Sequence, residues 1–262
     1  MHISALYIYP IKGCRGIAVS SAAVHDIGLE HDRRYMVVDE NNRFVSQREH
    51  PAMARIGVTQ TATGWALNRV NLPSLRWDPT PYGAESHVQI WKDTVAVVDQ
   101  GADVAAWFSN AIGIPCRLVG FAPGVRRLVD QTFAVSADDA VSFADGYASL
   151  LVTEASLADL NTRTKEPVPM DRFRPNIVVT GSEAWEEDGW RTITVGGVDM
   201  VAVKKCARCL VTTTDQQSGE RYVEPLPTLA EYRHIGHGLI FGQNMIHVGR
   251  GVIRIGDAIT LS

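Results

Sequence analysis

The chain has 262 residues, 45% of them apolar and 21% charged, with a formal net charge of −4. That is the balance of an ordinary globular protein able to bury a sizeable core without disulfides. The acidic balance argues against a general nucleic-acid or anionic-membrane binder, and no run approaches the roughly 18 apolar residues of a membrane span.

Residues 3–9 read as a first strand ending at Pro10, with neither a basic leader nor a signal-peptide cleavage site before it. A glycine-containing turn, Pro10-Ile11-Lys12-Gly13-Cys14-Arg15-Gly16, follows. Its glycines permit an anion-binding concavity of backbone N–H groups, to which Lys12 adds charge. The same segment is also an ordinary turn, and it lacks P-loop spacing. Arg33 and Arg34 stand before a strand at 35–38, and one of them is expected to turn inward. Residues 43–46 are expected to pair with that strand as a hairpin around Asp39-Glu40-Asn41-Asn42. Two further strands, 87–91 and 94–98, flank Lys92-Asp93, and a helix over 103–112 is stopped by Gly113 and Pro115. Residues 116–119 form a strand. The aperiodic stretch 120–139, with Pro123 and Gly124, marks a domain boundary, giving domains of 1–120 and 121–262.

Beyond the boundary, 150–152 is a short apolar run and Thr153 caps a helix carrying Leu157 and Leu160. Strands are expected at 177–179, 192–195, 200–203 and 210–214, a short helix at 229–233, and strands at 245–248, 252–255 and 258–261. Many short strands with few helices define a β-rich α+β protein containing a barrel.

The four cysteines, Cys14, Cys116, Cys206 and Cys209, are too few and too irregular for a disulfide framework. A reducing compartment, the cytoplasm, is therefore expected. Cys206-Ala207-Arg208-Cys209 has four readings. Half a zinc site needs two more ligands, for which His234 and His237 are remote candidates. A thioredoxin-type pair opens a helix, whereas the β-branched residues after Cys209 favour a strand. Two buried cysteines at a turn carry no chemistry. A thiolate can also bind a soft metal beside the sulfurs of an organic cofactor, with Lys204, Lys205 and Arg208 attracting an anionic one.

The segment Asp171-Arg172-Phe173-Arg174-Pro175-Asn176 leads into the strand at 177–179. Pro175 biases Arg174 toward an extended backbone, which would project Arg172, Arg174 and Asn176 from one face with Phe173 behind. Two guanidiniums and an amide so arranged suit a phosphate or a polar heterocycle, or else a strand-edge ion-pair cluster.

These segments together resemble the MOSC family, in its branch containing the mitochondrial amidoxime-reducing component. The resemblance rests on Tyr9-Pro10-Ile11-Lys12-Gly13, Asp32-Arg33-Arg34-Tyr35, the stretch from Thr153 to Asn161, Arg172-Phe173-Arg174-Pro175-Asn176, Cys206-Ala207-Arg208-Cys209 with Thr212-Thr213, and Phe241-Gly242-Gln243. It implies an N-terminal MOSC-associated β domain and a MOSC β-barrel with a molybdenum–molybdopterin cofactor between them. By the family's pattern Cys209 is the ligand to molybdenum and Cys206 its neighbour. Lys12, Gly13 (through its backbone), Arg33, Arg174, Asn176, Ala207, Arg208 and Cys209 hold the pterin and its phosphate. Asp145, in Phe143-Ala144-Asp145-Gly146-Tyr147, matches a loop near the metal and is expected to order substrate or relay a proton; otherwise it is a turn aspartate.

The implied activity is two-electron reduction of small N-hydroxylated compounds such as amidoximes, hydroxylamines and N-hydroxylated bases. No iron–sulfur spacing, ferredoxin-like module, pyridoxal-phosphate desulfurase domain or membrane anchor is seen. A stand-alone soluble enzyme is expected, fed by a separate ferredoxin- or cytochrome-type donor with its reductase, with no nucleic-acid or membrane partner. The alternative is a non-enzymatic carrier of the cofactor, or of sulfur, using the same cysteine.

Overall fold

A computed structural model describes residues 1–262. The largest sheet runs in the order Ile17–Val19, His2–Ile8, Ile177–Thr180, Ser149–Thr153, Gly238–His247, Val198–Ala207, Thr192–Val195, Ile259–Leu261, with His234–Ile235 paired at the side of Gly238–His247. A bridge between His2 and Ala258, with bonds from Ile3 N–H to the Asp257 carbonyl and from Ile259 N–H to the Met1 carbonyl, joins the first strand to the last. The sheet thereby curls on itself, as expected for a barrel. Its interior is a cluster that includes Ile3, Leu6, Leu151, Ile177, Ile193, Met200 and Met245. At Gly242 (φ +82°) the Gly238–His247 strand passes so close to its neighbour that a Cβ would lie 2.7 Å from the Leu151 carbonyl oxygen. Only glycine fits there.

Two further sheets form a second body. Tyr35–Asp39, Cys116–Phe121, Asp93–Asp99 and Glu85–Ile90 make one sheet, and Gly57–Gln60, Trp65–Arg69 and Leu72–Trp77 another. The helix Ala102–Ile112 buries Val104, Trp107, Phe108 and Ala111, a single face at helical spacing, and ends at Gly113 as expected. Residues 43–45 do return along Tyr35–Asp39, but as a bridge of Val38 to Phe44 rather than a full second strand. The Asp39 carboxylate caps the intervening turn by accepting from the Asn41 and Arg43 N–H groups.

The two bodies do not divide the chain at one point. The N-terminal segment crosses over: Ile3, Leu6, Ala22, Val24 and Leu29 lie in the barrel core, Ile11 and Cys14 lie in the second body, and Ser21–His25 pairs with Gly251–Arg254.

Two local expectations are overturned. Residues 210–214 are not a strand: Leu210–Thr213 is a 3-10 turn. The Thr212 and Thr213 hydroxyls donate back to the carbonyls of Cys209 (2.9 Å) and Leu210 (2.8 Å), which closes the turn despite the β-branched side chains. Nor is 172–176 extended. Met170–Phe173 is a 3-10 turn, and Arg174 takes the left-handed conformation at φ 53°. Phe173 stacks on Phe241 at 3.9 Å and pins this turn to the barrel. The expected helix at 229–233 begins earlier, spanning Leu226–Tyr232.

Candidate functional site

A cleft of about 1180 Å³ opens between the two bodies. Lys12, Gly13, Arg33, Asp145, Arg174, Asn176, Ala207, Arg208 and Cys209 all line it, although they come from five separate segments. Arg172 does not. Its guanidinium donates to the Thr213 carbonyl at 2.8 Å and pairs with Asp215 at 3.4 Å, so it clamps the turn that follows Cys209. Ten basic side chains face the cleft against three acidic ones, in a chain whose net charge is negative. Such a concentration is a site for a polyanion.

The basic floor is built around Tyr9. The Arg33 and Arg174 guanidiniums lie 4.4 and 4.3 Å from its ring, and its hydroxyl donates to the Pro175 carbonyl. Arg33 has a left-handed backbone (φ 48°), and its side chain pairs with Asp32 at 2.6 Å. Asn176, buried, accepts from Arg33 at 3.0 Å and from the Leu150 N–H at 3.1 Å, and donates to the Tyr7 carbonyl at 3.1 Å. Its amide is therefore spent on holding the floor in shape. Arg174 donates to the Gln216 side chain at 3.0 Å.

On the opposite wall Lys12 donates to the Phe143 carbonyl at 2.9 Å and to Asp145, which also faces Arg48 at 3.5 Å. Burial alone would raise the Asp145 pKa, but Lys12, through charge and hydrogen bond, and then Arg48 and Arg33 hold it well below the usual carboxylate range. Burial lowers the Lys12 pKa, and Asp145 opposes that shift. At neutral pH Asp145 is an anion whose side chain is 61% exposed to the cleft. Gly13, at φ +82°, anchors the neighbouring loop through its carbonyl, which accepts from Gln47 at 2.7 Å.

The four cysteines separate by environment. Cys14 and Cys116 are buried in the second body, and burial pushes the Cys14 thiol up to about 12. Cys206 is half-buried at the end of Val198–Ala207, and Cys209 is exposed at the head of the following turn. Arg208 reaches back to Cys206 Sγ at 2.8 Å and to the Phe173 carbonyl at 2.6 Å, while its buried Nε has no partner. No cluster of three or more His, Cys, Asp or Glu side chains is placed to hold a metal. A zinc site built on Cys206 and Cys209 therefore lacks its further ligands.

Sequence reasoning missed Arg48 and Arg127. Arg127 is buried and binds the Asp93 carboxylate at 2.7 Å and the Ala144 carbonyl at 2.6 Å, fixing the Asp145 loop. It lies in the stretch read only as a boundary, where nothing in its spacing distinguishes it.

A strand-rich barrel, a second β body and a basic cleft between them define the class. The MOSC N-terminal beta barrel domain family matches residues 1–115 and the MOSC domain family residues 138–260. The chain belongs to the MOSC family. Among its relatives, the mitochondrial amidoxime-reducing component 1 of Mus musculus is 35% identical over 99% of this chain and 82% of its own length. The mitochondrial amidoxime reducing component 2 of Homo sapiens is 33% identical over 88% of this chain and 72% of its own. The crystal structure of the YUAD protein of Bacillus subtilis covers 98% of this chain and 92% of its own at TM-score 0.42 and 9% identity. No helix is long and apolar enough to cross a membrane.

Proposed function

We propose that this chain is a molybdenum-cofactor-dependent reductase of small N-hydroxylated compounds, receiving electrons from a separate redox protein. The observation that carries the reading is the exposed Cys209 thiol on the wall of a wide, strongly basic cleft that Asp145 also lines. An open wall of this kind favours turnover over simple carriage, since a carrier gains from burying its cargo.

The residues fit the group. A soft thiolate suits molybdenum, the basic floor suits the pterin phosphate, and the unpartnered Nε of Arg208 awaits an acceptor. Cys209 would bind the metal, while Arg33, Arg174 and Arg208 would hold the anionic part and Asn176 would fix Arg33. When bound, the cofactor supplies the two-electron chemistry that removes oxygen from the N–O bond. Lys12 has one N–H donor left beyond its two protein partners, available to the cofactor or substrate. Asp145, ionised, accepts from the N–H groups of an amidoxime and orients it. Its lowered pKa favours this orienting role over that of a proton donor at neutral pH.

The test is metal analysis of protein made in a cofactor-competent host, followed by assay of chemically reduced protein on an amidoxime. Molybdenum at about one per chain is expected, with Cys209→Ser abolishing amidine formation and Cys206→Ser retaining it. Zinc in place of molybdenum overturns the proposal, and equal loss in both variants would indicate a dithiol pair instead.

A further inference from the structure

A second pocket of about 350 Å³ lies behind the cleft, on the far side of the segment at 125–127 that both cavities share. Its lining mixes apolar surface from Tyr35, Phe121, Pro79 and Pro81 with three arginines, Arg34, Arg126 and Arg127, the last of which is paired with Asp93. Arg34 is the unassigned half of the Arg33-Arg34 pair. The carboxylates nearest to it in sequence are occupied: Asp32 binds Arg33 at 2.6 Å and the Tyr9 N–H at 2.9 Å, and Glu30 faces His25. Arg34 itself forms neither an ion pair nor a side-chain hydrogen bond, and burial lowers its pKa against the weaker opposing charges of Asp32, Tyr35 and Glu30. Arg126 donates only to the Asp138 carbonyl. A partly desolvated guanidinium facing a pocket without a counter-charge is stabilised by any anion that enters.

The pocket is preformed. Gln100, buried in its wall, accepts from the Thr80 N–H at 3.2 Å and donates to the Thr80 carbonyl at 3.0 Å. The 79–81 loop is thereby held at the pocket by both of Thr80's backbone groups. Gly120, also in the lining, leaves space that a side chain would contest, since a Cβ there would lie 3.2 Å from the Tyr35 ring. The volume falls at the small end of ligand sites and is ample for a flat molecule of about ten heavy atoms.

We propose that this second pocket binds a small organic monocarboxylate, its carboxylate on the Arg34 guanidinium and its apolar body against Tyr35, Phe121 and the two prolines. The planar fork of Arg34 matches a carboxylate, and the apolar lining distinguishes such a ligand from inorganic phosphate. The site is separate from the cofactor cleft and stands whether or not the reductase reading does.

The test is calorimetric titration of the full chain, free of cofactor, with benzoate, using neutral benzamide as the control. Benzoate is expected to bind in the second pocket and benzamide not to bind. Arg34→Gln is expected to weaken benzoate at least about tenfold, while Arg208→Gln in the main cleft leaves it unchanged. Absence of binding at millimolar benzoate, equal binding by the Arg34→Gln chain, or loss on Arg208→Gln instead would each overturn the proposal. Should Arg34→Gln fail to fold, Pro81→Glu places a competing carboxylate at the pocket edge. It is expected to lower benzoate affinity, and unchanged affinity overturns the site.

Discussion

The Arg208 guanidinium donates to Cys206 Sγ across 2.8 Å, so the two cysteines of the C-x-x-C are chemically unequal. Cys206 is half-buried and engaged; Cys209 is exposed at the cleft wall. Limited iodoacetamide treatment of cofactor-free protein is therefore expected to label Cys209 first, then Cys206, and to reach Cys14 and Cys116 only on unfolding. Trypsin cuts after Arg208 and separates the two sites, so peptide mass spectrometry reads them independently. Equal early labelling of Cys206 would contradict this order.

Asn176 braces the basic floor through five hydrogen bonds, three of its side chain to Arg33, the Leu150 N–H and the Tyr7 carbonyl, and two of its backbone to the Leu150 carbonyl and the Tyr7 N–H. Asn176→Ala leaves the Arg33 guanidinium short of an acceptor and the buried Leu150 N–H unpaired. A loss of about 2–3 kcal/mol in urea unfolding is expected. Molybdenum retention should fall as well, because Arg33 loses its fixed direction. A variant as stable as the parent would show that water replaces the amide without cost.

Asp145 is held ionised by Lys12 first among its charged neighbours, with Arg48 and Arg33 adding to it. A carboxylate whose folded pKa is depressed keeps its charge, and the stability that comes with it, above the unfolded value, and loses both only as the pH falls through the folded one. In an amidoxime assay kcat/KM is thus expected to show no limb from Asp145 between pH 5 and pH 8, a window set by that downward shift. Asp145→Asn should lower kcat/KM roughly 10–100-fold across that whole range. A limb near neutrality that disappears in Asp145→Asn would instead make this residue a proton donor.

Much of the cleft was legible through the family resemblance, with local signals pointing to a few of its residues. Lys12 follows Pro10 at a strand end, and Arg174 and Asn176 flank Pro175. The chain's periodicity also located most strands and the helix ending at Gly113. What was not legible depends on groups distant in sequence. Residues 210–214 carry β-branched side chains, and only the back-bonding of Thr212 and Thr213, with Arg172 clamping the Thr213 carbonyl, makes the turn. The left-handed Arg174 is fixed by the stacking of Phe173 on Phe241, 68 residues later in sequence. Arg127 acquires its role only when Asp93 and the Ala144 carbonyl meet it in space. The pairing of residues 2–8 and 17–25 with barrel strands is likewise not legible, since strand pattern alone does not name a partner.

His247 gives the barrel a pH dependence of its own. Its Nε2 lies 3.0 Å from the Ser149 hydroxyl and its Nδ1 is buried without a partner. Burial pushes its pKa down to about 4, against the weaker opposing effects of a backbone contact at His25 and the charge of Asp32. The unfolded chain binds a proton at this residue below about pH 6.5, whereas the folded chain does so only below about 4. Between those values the unfolded state holds more protons, so stability rises with pH. The stabilisation of the neutral imidazole is complete above pH 6.5, falls as the pH drops, and is gone below about 4. Glu187, a buried carboxyl whose pKa is raised by desolvation, acts with the opposite sign. Because it is present in both chains, comparing the parent with His247→Gln cancels it. Urea unfolding of the parent is expected to lose on the order of 2 kcal/mol more than His247→Gln between pH 6.5 and pH 4. Parallel curves for the two chains over that range would place the protonation of His247 outside the folding equilibrium and remove it as the source of acid sensitivity.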